Sequence, residues 1–164
     1  MEKQQKRYRR AFALLGGFTP LKTDCGVLCE KRCCGGDEKT GMLLFPGEET
    51  TLPVREEHGR RLAVCGGHCN RNERPLACRL FPLFPVIDAR GRMTASVDDR
   101  GGICPLVQHA SEVRFSARFR HRVARVGKLL FRYADSRAFL EDVWREMEET
   151  RQVRDTFLPV EEKT

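Results

Sequence analysis

Tyr8, Phe12 and Leu15 repeat at helix spacing inside a charged stretch, which predicts a short helix over residues 6–15. Gly16, Gly17 and Pro20 end it. No clear period follows until residues 42–45, an apolar run that meets a turn signal at Pro46-Gly47. Residues 62–65 predict a short strand leading into Gly66-Gly67. Pro75, Pro82 and Pro85 exclude a long helix over 74–85 and leave room for one turn around residues 76–80. Residues 84–88 and 92–97 flank Ala89-Arg90-Gly91 and read as a β-hairpin. From residue 111 the helix period returns, with Phe115, Phe119, Val123, Val126, Leu130 and Tyr133 on one face through residue 134. Ser136 then suits the N-cap of a second helix, whose stripe is Phe139, Leu140, Val143, Trp144 and Met147. Asp135-Ser136 is the expected turn of a helical hairpin.

The two halves differ in kind. Before Pro105 the chain is loopy and cysteine-rich; after it, helical and free of cysteine. The expected fold is α+β: an irregular, metal-stapled portion with short strands over residues 23–107, packed on a C-terminal helical hairpin over 111–155, in a single domain of 164 residues. Only 40% of residues are hydrophobic and the mean hydropathy is −0.49, so a metal that ties loops together would reinforce a thin core. No apolar run approaches the length of a membrane span. The apolar patch AFALLGGF near the N-terminus is short and lacks a cleavage signal, so it reads as an amphipathic helix and the chain as cytoplasmic.

The net charge of +7 is unevenly placed. Residues 112–132 hold seven basic side chains and one acidic, whereas residues 136–164 hold eight acidic and five basic. Two neighbouring helices with complementary charge account for this pattern. Arg114, Arg118, Arg122 and Arg125 recur at helix spacing and can track phosphates, yet no aromatic side chains are interleaved for stacking, which argues against nucleic acid.

The cysteines carry the chemistry. Cys25, Cys29, Cys33 and Cys34 fall within ten residues, and Cys65, Cys69, Cys78 and Cys104 follow. Eight thiols in a chain without an export signal point to a metal or an iron–sulfur cluster rather than to disulfides. If residues 25–33 are helical, steps of four place three thiols within an arc of about 80°. Zinc and iron–sulfur clusters both take thiolates from short, turn-rich segments, and the spacing does not separate them. All eight cysteines are therefore candidate metal ligands, expected to converge. His68 is a lesser candidate. Asp98-Asp99-Arg100 reads as a turn with an Asp–Arg contact, and Glu48-Glu49 and Glu56-Glu57 as surface charges. No catalytic residue stands out.

The segments DCGVLCEKRCCGG, CGGHCNRNERPLACRLFPLFP and ICPL resemble the YkgJ-type proteins, described as zinc- or iron-chelating and built on a cluster of cysteines. The resemblance runs over residues 23–107. It includes Arg74-Pro75, Cys78-Arg79 and Phe81-Pro82, which match that family's RPxxCRxFP element, although the first cysteine spacing here is three residues rather than two. It implies a metal site at Cys25, Cys29, Cys33, Cys34, Cys65, Cys69 and Cys78. One similar branch, the flagellin lysine methylases, is enzymatic. The expected function is therefore cytosolic metal binding through clustered thiolates. The alternatives are a metal- or cluster-dependent enzyme, for example a protein-modifying one, and a nucleic-acid-binding module stabilised by zinc.

Overall fold

Tyr8, Ala11 and Leu15, spaced as a helix stripe, form the buried side of α1 (Glu2–Leu15). The computed structural model describes residues 2–34, 41–67 and 70–157. Helix α2 (Cys25–Leu28) is a single turn. Three strands follow: β1 (Gly41–Leu43), β2 (Val54–Glu57) and β3 (Arg60–Val64). They form an antiparallel sheet in the order β1-β3-β2. The β2–β3 turn is His58-Gly59, with φ of 50° and 74°. Two left-handed residues give the tight turn whose twist matches the flanking strands. Nothing in the alternation of residues 54–57 marked β2 in advance, because it is a polar edge strand.

Helix α3 (Leu76–Leu80) fits between Pro75 and Pro82, as the proline spacing allowed. Strands β4 (Leu83–Ile87) and β5 (Met93–Val97) then pair as the expected hairpin, with Ile87 opposite Met93. Asp88 shapes the turn: its Oδ1 accepts from the backbone N–H groups of Arg90 and Arg92, each at 2.9 Å. Helix α4 (Pro105–Gln108) starts with proline at its first position, where no N–H is needed.

The long helices are α5 (Ala117–Leu130) and α6 (Ala134–Phe157). Helix α5 begins six residues later than its apolar period suggested, because Ser116 caps it and residues 111–116 stay outside. Helix α6 begins two residues before Ser136, which is fully buried and is not the cap. The helices are consecutive, and both meet strand β4. Helix α5 lies on α1 and on the β4–β5 hairpin. Helix α6 reaches the hairpin through Trp144, whose Nε1 donates to the Pro85 carbonyl at 2.6 Å. Phe139 tilts against Phe45 at 4.8 Å. One buried cluster joins Tyr8, Phe45, Leu76, Leu80, Phe119, Val126, Leu140 and Met147. The architecture is α+β, as expected, and among the described residues no helix is long and apolar enough to cross a membrane.

The close approach of α5 to the hairpin requires Gly127. A Cβ there would collide with the Pro85 side chain and stand 2.7 Å from the Met93 sulfur. Gly127→Ala is expected to lower stability by about 1–3 kcal/mol, because overpacking outweighs the gain in helix propensity. Chemical denaturation measures it; an unchanged or raised midpoint refutes it.

The expected charge complementarity between the last two helices is absent. Glu146 of α6 pairs with Arg60 and Arg100, while Arg151 and Arg154 of α6 both take Asp99. Among the described residues no ion pair joins α5 to α6. Of the acids of α6, Glu146 is used by residues that fold back onto the helix, while Asp142, Glu148 and Asp155 pair with arginines of α6 itself.

Candidate thiolate metal centre

Asp24 starts the site. Its Oδ1 accepts from the Gly26 N–H at 2.9 Å and caps α2, which carries Cys25. The Cys29 N–H closes that turn on the Cys25 carbonyl at 3.2 Å. The helix does not continue to Cys33. Glu30 and Lys31 take left-handed φ of 52° and 56°, and the Lys31 N–H turns back to the Gly26 carbonyl. A short 3-10 turn, Arg32–Cys34, then presents Cys33. The one-face helix expected over residues 25–33 is thus replaced by two turns with a reversal between them.

Cys78 sits inside α3, the single turn that its flanking prolines left room for. Cys104 is 4% exposed and precedes α4, its N–H held by the Gly101 carbonyl at 2.9 Å. These separate segments meet. Cys25, Cys29, Cys33, Cys78 and Cys104 line one cavity of about 70 Å³, closed by Thr19, Pro20, Phe81, Pro82 and Leu106. Cys65 follows the end of β3 and does not line it. Cys69, His68 and the Cys34 side chain lie outside the described residues. Cys25, Cys29, Cys33, Cys65, Cys78 and Cys104 are thiols, not disulfide halves.

Lining one cavity is not chelation. Among the described residues, no three side chains of His, Cys, Asp or Glu stand close enough together to hold one metal ion. The electrostatics nonetheless record thiol proximity. Burial pushes the Cys25 thiol above its ordinary range, and the neighbouring Cys29, Asp24 and Cys104 push it further. Burial also raises Cys104, with a smaller push from Cys29, against backbone N–H bonds from Leu106 and Val107 that lower it. Each thiolate thus disfavours the next, and a cation would relieve that repulsion.

Arg71, Arg74 and Arg79 line the same cavity. Arg79 donates to the Gly16 carbonyl at 2.6 Å and covers the Phe12 ring, which ties the site to α1. Its own pKa is lowered by burial and by Arg71. A ring of cations suits a thiolate site with net negative charge.

Sequence reasoning passed over three residues here. Asp24 carries the usual N-cap signature and was legible. Arg71 reaches the cavity through a short turn, Arg71–Glu73, that has no sequence period. Glu48 was read as a surface charge but is 1% exposed. Its two carboxylate oxygens accept from Leu76 N at 2.7 Å and Phe45 N at 3.1 Å, so it anchors the start of the helix that holds Cys78. The Asp98-Asp99-Arg100 reading is borne out: Arg100 makes a two-pronged contact with Asp98, at 2.9 and 2.8 Å.

No family model, no curated protein and no solved structure matches this chain.

Proposed function

We propose that this protein holds zinc or an iron–sulfur cluster through clustered cysteine thiolates, in the reducing environment of the cytoplasm. The observation that carries the reading is the cavity on which Cys25, Cys29, Cys33, Cys78 and Cys104 open, from segments up to 79 residues apart (104 − 25). Soft thiolate donors suit zinc and iron–sulfur chemistry above other metals. The flanking Arg71, Arg74 and Arg79 supply positive charge, and the resemblance of residues 23–107 to YkgJ-type proteins agrees. Cys34, Cys65 and Cys69 are further candidate ligands. Raised thiol pKa values make uptake proton-coupled: each thiol must lose its proton as it binds, so affinity rises with pH.

Anaerobic purification with elemental analysis and an absorption spectrum tests this. Sulfide-to-iron bands with matching iron identify a cluster; a colourless protein with stoichiometric zinc identifies a zinc site. Cys29→Ser and Cys104→Ser are each expected to lose most of the metal. A chain that carries no metal and takes up neither zinc nor a reconstituted cluster refutes the reading.

A second reading, a metal- or cluster-dependent enzyme, is favoured by one observation. A cavity of about 460 Å³, lined largely by apolar groups including Met42, Leu83, Phe84 and Phe139, shares Cys33 and Phe81 with the thiol cavity. Its size suits a small ligand beside the thiols. Ligand-induced change in the spectrum of the loaded protein distinguishes this reading from a purely structural site.

A further inference from the structure

The exposed face of α5 is cationic along its length. Arg118, His121, Arg125 and Lys128 recur at i, i+3, i+7 and i+10, within about 80° of arc at 100° per residue, and all four are exposed. Arg114 and Arg132, also exposed, stand just before and just after the helix. Residues 114–132 contain seven Arg or Lys side chains and no acid.

Most other arginines with a structural role are engaged: Arg7, Arg60, Arg100, Arg151 and Arg154 form ion pairs. Among the described residues, the side chains of Arg114, Arg118, Arg125, Lys128 and Arg132 make no hydrogen bond or ion pair. Three nearby acids are already paired elsewhere. Glu146 and Asp99 serve other arginines, and Asp88, which shares a hollow with Lys128, is held by Arg92. Holding three like charges on one rigid helix face, with two more at its ends, costs self-repulsion that a polyanion would relieve.

Two shallow hollows flank the face. One, of about 510 Å³, is lined by Phe18, Arg118, His121, Arg122 and Arg125. The other, of about 690 Å³, runs past Lys128 to Arg92 on the hairpin.

What the face lacks narrows the partner. Protein interfaces have an apolar buried core and membrane-bound helices insert apolar side chains. Among the described residues, none of the large exposed apolar side chains belongs to α5, and of them only Ile87 borders either of these two hollows. Single strands need aromatic platforms. Phe18 is capped by the Arg122 guanidinium at 4.9 Å, and Phe131 lies between Arg137 and Trp144. A uniform, regularly spaced polyanion remains. At 1.5 Å per residue Arg125 rises about 10 Å above Arg118 and Lys128 about 5 Å further, and the 14-residue α5 spans about 21 Å. A duplex presents roughly a dozen phosphates over that length.

We propose that this face of α5 binds the phosphodiester backbone of a duplex nucleic acid without reading its bases. Arginine suits that contact because its planar fork pairs two-pronged with phosphate.

Fluorescence anisotropy with about 20-base-pair DNA and RNA duplexes of unrelated sequence, at 50 to 200 mM salt, tests it. With four to five phosphate contacts the affinity falls roughly 10²–10³-fold over that range. Arg118→Gln/Arg125→Gln/Lys128→Gln is expected to keep its thermal midpoint and to flatten the logarithmic salt slope by about 2.7. Arg114→Gln/Arg132→Gln, outside the helix, is expected to flatten it by about 1.8. The two duplexes distinguish a DNA from an RNA backbone. The proposal is overturned by no duplex binding at 50 mM salt, by a slope that neither variant changes, or by tighter binding to anionic phospholipid vesicles or polyglutamate than to either duplex.

Discussion

Asp135→Ala will destabilise the protein by about 3 kcal/mol, more than Arg7→Met will, although Asp135 is the more exposed partner. The Arg7 side chain is 3% exposed and that of Asp135 41%. Arg7 Nη1 and Nη2 donate to the two carboxylate oxygens at 2.6 Å each, and Nη2 also reaches the Pro46 carbonyl at 2.5 Å. The guanidinium lies over the rings of Tyr8 and Tyr133. Removing Asp135 leaves a buried cation facing one carbonyl. Removing Arg7 leaves a carboxylate that water can reach, and methionine keeps much of the packing, so a cost of about 1–2 kcal/mol is expected there. Urea denaturation of both variants gives the order, and a larger loss in Arg7→Met refutes the assignment. The pair also sets an acid limit. The Arg7 bonds hold the Asp135 carboxyl below its usual range. Its folded pKa is the lower one, so its contribution is complete above the ordinary carboxylate range and is lost as pH falls through the folded value.

Glu48 acts in the opposite direction. Burial pushes its carboxyl up to about 7, against the Leu76 and Phe45 N–H bonds that pull it down. The folded state therefore binds a proton more tightly than the unfolded chain, where a glutamate titrates near 4.3. Stability from this group is complete below the unfolded value and is lost as pH rises through about 7. Glu48→Gln cannot titrate and satisfies only one of the two backbone donors. The wild type is expected to exceed the variant at pH 5, and that advantage is expected to shrink by about 2–3 kcal/mol by pH 8. A difference that does not change with pH disproves the assignment. Because Glu48 anchors the start of α3, the variant should also loosen Cys78, which makes metal retention at neutral pH a second measurement.

These two residues show where reading the sequence stops. The helix periods of α1, α5 and α6, the β4–β5 hairpin and the single turn between Pro75 and Pro82 were all legible, because local side-chain spacing and proline geometry are properties of adjacent residues. So was the grouping of thiols, since eight cysteines before Pro105 are a compositional fact. The Ser116 cap and the reversal at Glu30-Lys31 went unread, because short turns are chosen among several local options by what they must reach.

What only the tertiary structure decided is who meets whom. Arg7 and Asp135 are 128 residues apart, and Leu76 N meets Glu48 across 28. Glu48 and Glu49 look alike in sequence, but the chain's path buries the first among backbone donors. The opposite charges of α5 and α6 suggested a pairing that packing did not make; Glu146 and Arg151 of α6 pair instead with Arg60, Arg100 and Asp99. The same packing left the cationic face of α5 open. Cys25, Cys29, Cys33, Cys78 and Cys104 line one cavity for the reason that decided these contacts too: burial of a shared apolar core brings distant turns together, and a linear pattern records which residues seek burial but not which of them become neighbours.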